Sequence, residues 1–229
     1  MKQLLLILFF STSVQARIQN LLLGNNEVRI ERARPSRGLI FIIPAKKYTM
    51  EKPLFNLLSK LALKNNYSVA RFNWSFIRNK NSPSKQLRVE ATEIDQVLSY
   101  VQKKLDITNE NTFIVAKSFG SRVLMKSLLN KSRFYTLLTP NCDNHNSFSK
   151  TYSLLFKRFQ DVNISLSIND PYCDVGQIYN FLSQKHSRVT LFTTFGDHNF
   201  VTTNKSIFNQ ETAMNQIINW ANEQTKTQR

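Results

Sequence analysis

At 229 residues and 41% hydrophobic, the chain can bury a core of its own, and only six prolines and five glycines argue against long disordered stretches. Its 31 Lys+Arg against 15 Asp+Glu give a net charge of +16. The positive residues run the whole length with no basic helix and no aromatic-interleaved motif, which argues against a nucleic-acid partner.

The first segment, MKQLLLILFFSTSVQARIQ, carries one lysine, a short apolar run and small residues up to Ala16. That pattern predicts a secretory signal over residues 1–16 and a periplasmic or secreted mature chain; the alternative is a first core strand in a cytoplasmic protein. Neither this run nor any later one is long enough to span a bilayer as a helix. NLLLGNNEVRIERA then reads as two strands around a Gly-Asn-Asn turn.

GLIFIIPA (38–45) is a continuous apolar, β-branched run, the mark of a strand covered on both faces. Thr49 is the expected cap of a helix through MEKPLFNLLSKLALK, with Pro53 tolerated in its first turn. YSVARFNW (67–74) is the next strand. Ser84 is the expected cap of a long helix whose apolar face runs through Leu87, Ala91, Ile94, Leu98, Val101 and Leu105.

TFIVAK (112–117) is a strand that runs straight into the helix FGSRVLMKSLL. Three more strands follow at 134–140, 162–168 and 188–195, with helices near 147–159, 174–184 and 209–223. Strands alternating with helices predict a mostly parallel sheet flanked by helices, whose functional residues gather beyond the carboxyl ends of the strands.

Three such ends carry chemistry. Ser118 follows the strand at 112–117, Asp170 lies in INDPYCD after the strand at 162–168, and His198 lies in FGDHNF after the last strand. A serine hydroxyl needs an imidazole to take its proton, and the imidazole needs a carboxylate to fix its tautomer. Serine, acid and histidine stand in the chain order of α/β-hydrolases, and the Phe119 amide follows the nucleophile as an oxyanion donor. Ala116 and Gly120 supply the small side chains that a tight elbow needs two places either side of Ser118.

Each position has a plainer role open to it. Ser118 fits a helix N-cap, Asp170 fits turn chemistry before Pro171 with Asp174 as the acid or a cap, and Asp197 fits a loop-fixing role beside His198. Of the other histidines, His186 falls at the opposite rim, whereas His145 falls at the functional rim as a substrate contact. Cys142 and Cys173 each follow a strand at that same rim, so a disulfide can form if the strands are neighbours; two free thiols fit as well. No Cys/His spacing suggests a metal.

Several segments together resemble one family, the small, nearly cap-free α/β-hydrolases related to the dienelactone hydrolases. VAKSFGSR keeps Lys117, Ser118, Gly120 and Arg122 of that family's elbow, and RFNWSF keeps Arg71, Phe72 and Asn73 of its second parallel strand. NDPYCD matches its acid loop at Asp170 and Pro171, and GDHNF its histidine loop at Asp197, His198 and Phe200. The resemblance implies an α/β-hydrolase fold, one domain over 17–229 and a serine hydrolase of ester, thioester or similar acyl bonds. It implies Ser118 as nucleophile, Asp170 as acid and His198 as base, with no cofactor. One loop departs from the family: the glycine-rich run after its first strand is PAKKYTM here. Pro44 has no N–H, so the second oxyanion amide falls to Ala45 or Lys46; alternatively Lys46 and Lys47 favour an anionic substrate, and Lys46 and Lys117 are candidate substrate contacts. The altered loop also fits a hydrolase-like scaffold that binds without catalysis.

Overall fold

The computed structural model describes residues 17–127, 132–140, 142, 152, 161–183, 189–202 and 208–227. Residues 1–16, His145, His186 and all but Tyr152 of the helix expected near 147–159 lie outside them.

Eight strands form one sheet: β1 (Arg17–Leu23), β2 (Asn26–Arg32), β3 (Gly38–Ile43), β4 (Tyr67–Asn73), β5 (Thr112–Lys117), β6 (Phe134–Leu138), β7 (Asp161–Ser167) and β8 (Val189–Thr194). Their order is β1-β2-β4-β3-β5-β6-β7-β8. β1 and β2 pair antiparallel across the two-residue turn Gly24-Asn25, with Gly24 at φ +59°. β2 runs antiparallel to β4, and every pairing from β4 to β8 is parallel.

The helices are α1 (Pro53–Lys64), the single turn α2 (Ser75–Arg78), α3 (Arg88–Leu105), α4 (Phe119–Leu124), α5 (Val175–Ser183) and α6 (Phe208–Lys226). β3 shows why its sequence is apolar throughout. Leu39, Phe41 and Ile43 join the cluster that includes Ile94, Leu98 and Val101 of α3. Ile40 and Ile42 point to the other face, with Leu54, Phe55 and Leu58 of α1 and Met214, Ile217 and Trp220 of α6. A central parallel strand with helices on both faces has no polar side to show.

Two helix starts differ from expectation. α1 begins at Pro53 with Lys52 in the cap position, and the Thr49 carbonyl instead accepts the Lys52 amide in a turn at 3.1 Å. Proline presets the first helical φ, and the preceding backbone is held elsewhere: Met50 donates its N–H to Asn73 Oδ1 at 2.8 Å and receives Arg71 Nη1 on its carbonyl at 2.7 Å. α3 begins at Arg88 because Leu87 sits in the left-handed region at φ +57°. Ser84 is not its cap. Its amide and hydroxyl both donate to the Glu90 carboxylate, at 2.6 and 2.5 Å, so an acid in the first turn reaches back to the loop. Leu87 therefore only flanks the core, and the apolar face proper runs through Ala91, Ile94, Leu98, Val101 and Leu105.

Candidate active site

Ser118 joins β5 to α4 with φ +48° and ψ −115°, a conformation a non-glycine residue holds only when its surroundings impose it. Its amide donates to Leu138 of the neighbouring strand at 3.1 Å, and its carbonyl accepts from the Ser121 hydroxyl at 2.6 Å. Gly120 explains how α4 comes so close to β3. A Cβ there would lie 2.6 Å from the Pro44 carbonyl oxygen and 2.8 Å from Ile43 Cγ2, so a side chain has no room. Ala116 is fully buried in the core, where its single methyl is accommodated.

The three acids near the rim have separate surroundings. Asp170, its side chain fully buried, meets His198 Nδ1 with both carboxylate oxygens, at 2.9 and 2.8 Å. Its Oδ1 also accepts the Tyr172 amide at 2.9 Å, which fixes the carboxylate within its own turn. Asp174 caps the start of α5 through the Gln177 amide at 2.8 Å. Asp197 ties its own loop, accepting the amides of Asn199 at 2.7 Å and Val201 at 3.1 Å.

The His198 loop turns on Gly196, at φ +127°, where a Cβ would fall 2.7 Å from the Phe200 carbonyl carbon. Ser167 donates its hydroxyl to the Gly196 carbonyl, and Phe200 is buried beneath. The Tyr172 ring meets the imidazole edge-on at 4.8 Å. Because Nδ1 faces a carboxylate, it carries the ring proton, which leaves Nε2 as the acceptor.

Ser118 and His198 line one cleft of about 600 Å³ together with Ala45, Lys46, Phe119 and Tyr172. Phe119 is held against Trp74 and Phe76 by edge-to-face contacts at 5.8 and 6.1 Å. The Pro44 carbonyl accepts Trp74 Nε1 at 3.1 Å, and the Ala45 carbonyl accepts the Tyr48 amide at 3.3 Å, so the loop turns away immediately after β3. Lys46 and Lys47 are exposed at the cleft, and among the described residues that line it there is no carboxylate side chain.

Lys117 has a different setting. It is wholly buried, and its Nζ donates at 2.7 Å to Thr139 Oγ1 and at 2.7 Å to the His198 carbonyl. Burial pushes its pKa down to about 7, with Asp170 and Asp197 acting in the opposite direction. Burial likewise pushes the Tyr48 phenol, whose ring lies 5.3 Å from that nitrogen, up to about 12.

Two residues that shape the cleft went unassigned in the sequence reading. Arg71, in a buried pair with Glu31 at 2.8 Å, and Asn73 grip both polar groups of Met50 and so hold the loop that follows Ala45. Their signal is an arginine and an asparagine inside the mostly apolar strand YSVARFNW. The Cys142 and Cys173 sulfurs are joined, which ties the segment beyond β6 to the acid loop. Among the described residues no group of His, Cys, Asp and Glu could hold a metal ion, and no helix is long and apolar enough to cross a membrane.

No family model and no curated protein matches the chain. Solved structures do. A Coxiella burnetii α/β serine hydrolase homologue is 16% identical with a TM-score of 0.67, over 88% of this chain and 97% of that one. A lidless α/β serine hydrolase from Xanthomonas campestris is 12% identical with a TM-score of 0.65, over 94% and 95%. An esterase from Pyrococcus furiosus is 10% identical with a TM-score of 0.61, over 93% and 90%. With its strand order, its parallel core and its strained serine between β5 and α4, the chain has the α/β-hydrolase fold, and no cap is seen among the described residues.

Proposed function

We propose that the chain is a serine hydrolase that cleaves an ester, thioester or similar acyl bond. The observation that carries this reading is the double contact of Asp170 with His198 Nδ1, at 2.9 and 2.8 Å, beside a strained serine in the same cleft. His198 Nε2 takes the proton of Ser118 Oγ as that oxygen attacks the acyl carbonyl. The amides of Phe119 and Ala45 receive the developing oxyanion, and Asp170 stabilises the imidazolium. His198 then protonates the leaving group. Water attacks the acyl-enzyme by the same route and regenerates Ser118. These residues suffice for the chemistry without a metal or cofactor.

The resemblance of the elbow and of the acid and histidine loops to the dienelactone-hydrolase-related family supports the same roles. Lys46 and Lys47, in a cleft wall that holds no carboxylate among the described residues, favour an acyl substrate that bears an anionic group. The bonded cysteines, together with the leader-like residues 1–16, support an oxidising, extracytoplasmic location.

The test is labelling by a fluorophosphonate probe and turnover of p-nitrophenyl esters, compared between the parent and Ser118→Ala, His198→Ala and Asp170→Asn. Ser118→Ala is expected to abolish labelling, and each variant to lower kcat by about a thousand-fold or more. Labelling and turnover indifferent to Ser118 and His198 would leave the fold as a binding scaffold, the reading that the glycine-free PAKK loop favours.

A further inference from the structure

We propose that Lys117 is a positioning residue of the active site, holding the main chain of His198 in place. The inference rests on the serine-hydrolase reading above. Lys117 is the last residue of β5, directly before Ser118, yet its side chain reaches three other site segments. Nζ donates to Thr139 Oγ1 beyond β6 and to the His198 carbonyl beyond β8, both at 2.7 Å, and lies 5.3 Å from the Tyr48 ring beyond β3. Two tethers therefore act on His198 from opposite ends: Asp170 on the ring and Lys117 on the backbone.

The choice of lysine is informative because it is unfavourable for stability. A fully buried amine loses its hydration, and a methionine of similar volume would fill the site without that cost. No carboxylate forms an ion pair with Nζ among the described residues. The titratable groups around it are Asp170 and Asp197 from the loops after β7 and β8, His198 itself, and Tyr48 from the loop after β3; Arg122 of α4 lines the same cleft. Burial lowers its pKa to about 7, so its charge is present on the acid side of neutrality.

The experiment compares the parent with Lys117→Met, Thr139→Val and Ser118→Ala, reading kcat, KM, fluorophosphonate labelling rate and thermal midpoint. Lys117→Met is expected to keep the midpoint or raise it and to lower kcat about ten-fold or more with KM within about two-fold. A merely structural lysine would lower the midpoint and leave kcat and KM as they are. Thr139→Val removes one of the two acceptors that fix the amine, and is expected to lower kcat about three-fold or more in the same pattern. It carries the test alone if the methionine variant fails to fold. If either folded variant keeps the kcat of the parent while Ser118→Ala is dead, Lys117 has no such role. If Ser118→Ala retains turnover and labelling, it is the serine-hydrolase reading that fails.

Discussion

At the scale of single residues, the site depends on two positions whose side chains answer opposite demands. Gly120 is required for its lack of a Cβ, because the start of α4 presses on the carbonyls of Ile43 and Pro44. Gly120→Ala places a methyl 2.6 Å from the Pro44 oxygen, a backbone atom that cannot swing aside. It is expected to lower stability by about 1–3 kcal/mol, read as a reduced urea midpoint, and to reduce fluorophosphonate labelling because the Ser118 turn shifts with it. Lys117 is unusual for the opposite reason, a charged group where the fold would accept an apolar one. Its pKa falls from 10.5 in the free amine to about 7 in the folded chain. Between those values the unfolded state holds the proton and the native state does not, so stability rises with pH across that window. The slope contributed by this one group approaches about 1.4 kcal/mol per pH unit. Denaturation curves from pH 7 upward should show that rise in the parent, and its loss in Lys117→Met.

At the scale of elements, the loop after β3 is shaped less by its own residues than by β4. Asn73 accepts the Met50 amide and donates to Glu27 Oε2 at 2.9 Å, while Arg71 holds the Met50 carbonyl. Asn73→Ala leaves the buried Met50 amide without a partner. It should cost about 1–3 kcal/mol of stability. Because the same loop carries Ala45, kcat should also fall while Ser118 and His198 stay untouched, which steady-state kinetics on an ester substrate would register. This coupling explains what the sequence made legible and what it hid. Six strands and the faces of α1 and α3 could be read from hydrophobic period alone, since burial on a sheet imposes that period whatever the partner. The helix starts at Thr49 and Ser84 could not. A serine or threonine before an apolar run satisfies a cap only if no distant group claims the segment first. Here Asn73 and Arg71 held Met50, Glu90 reached back to Ser84, and Leu87 adopted a left-handed turn.

At the scale of the whole molecule, the strand order decides which loops meet, and that order is the least local property of the chain. β7 lies beside β6 and β8 beside β7, so the loops bearing Asp170 and His198 emerge next to one another, two and three strands from the strand that precedes Ser118. Chain order of serine, acid and histidine is legible in a sequence; that Asp170 and not Asp174 or Asp197 faces the imidazole depends on how each turn closes, which spacing does not encode. The same adjacency brings Cys142 to Cys173, 31 residues apart. A loop of that length closed by a disulfide is stabilised by about 3–4 kcal/mol in the chain-entropy account. The bond lies three residues beyond Asp170, and between them the Tyr172 amide holds the carboxylate while the Tyr172 carbonyl accepts the Cys142 amide at 3.2 Å. Reduction is therefore expected to loosen the turn that holds Asp170 against His198. Treatment with a phosphine reductant, or the Cys142→Ser/Cys173→Ser variant, is expected to lower the thermal midpoint and kcat together, with KM changing less, because in the proposed mechanism Asp170 acts on the base and not on the bound acyl group. The reductant should leave that double variant unaffected. A parent enzyme whose kcat survives full reduction would mean that the Asp170 turn is held by its own hydrogen bonds and that the disulfide serves stability alone.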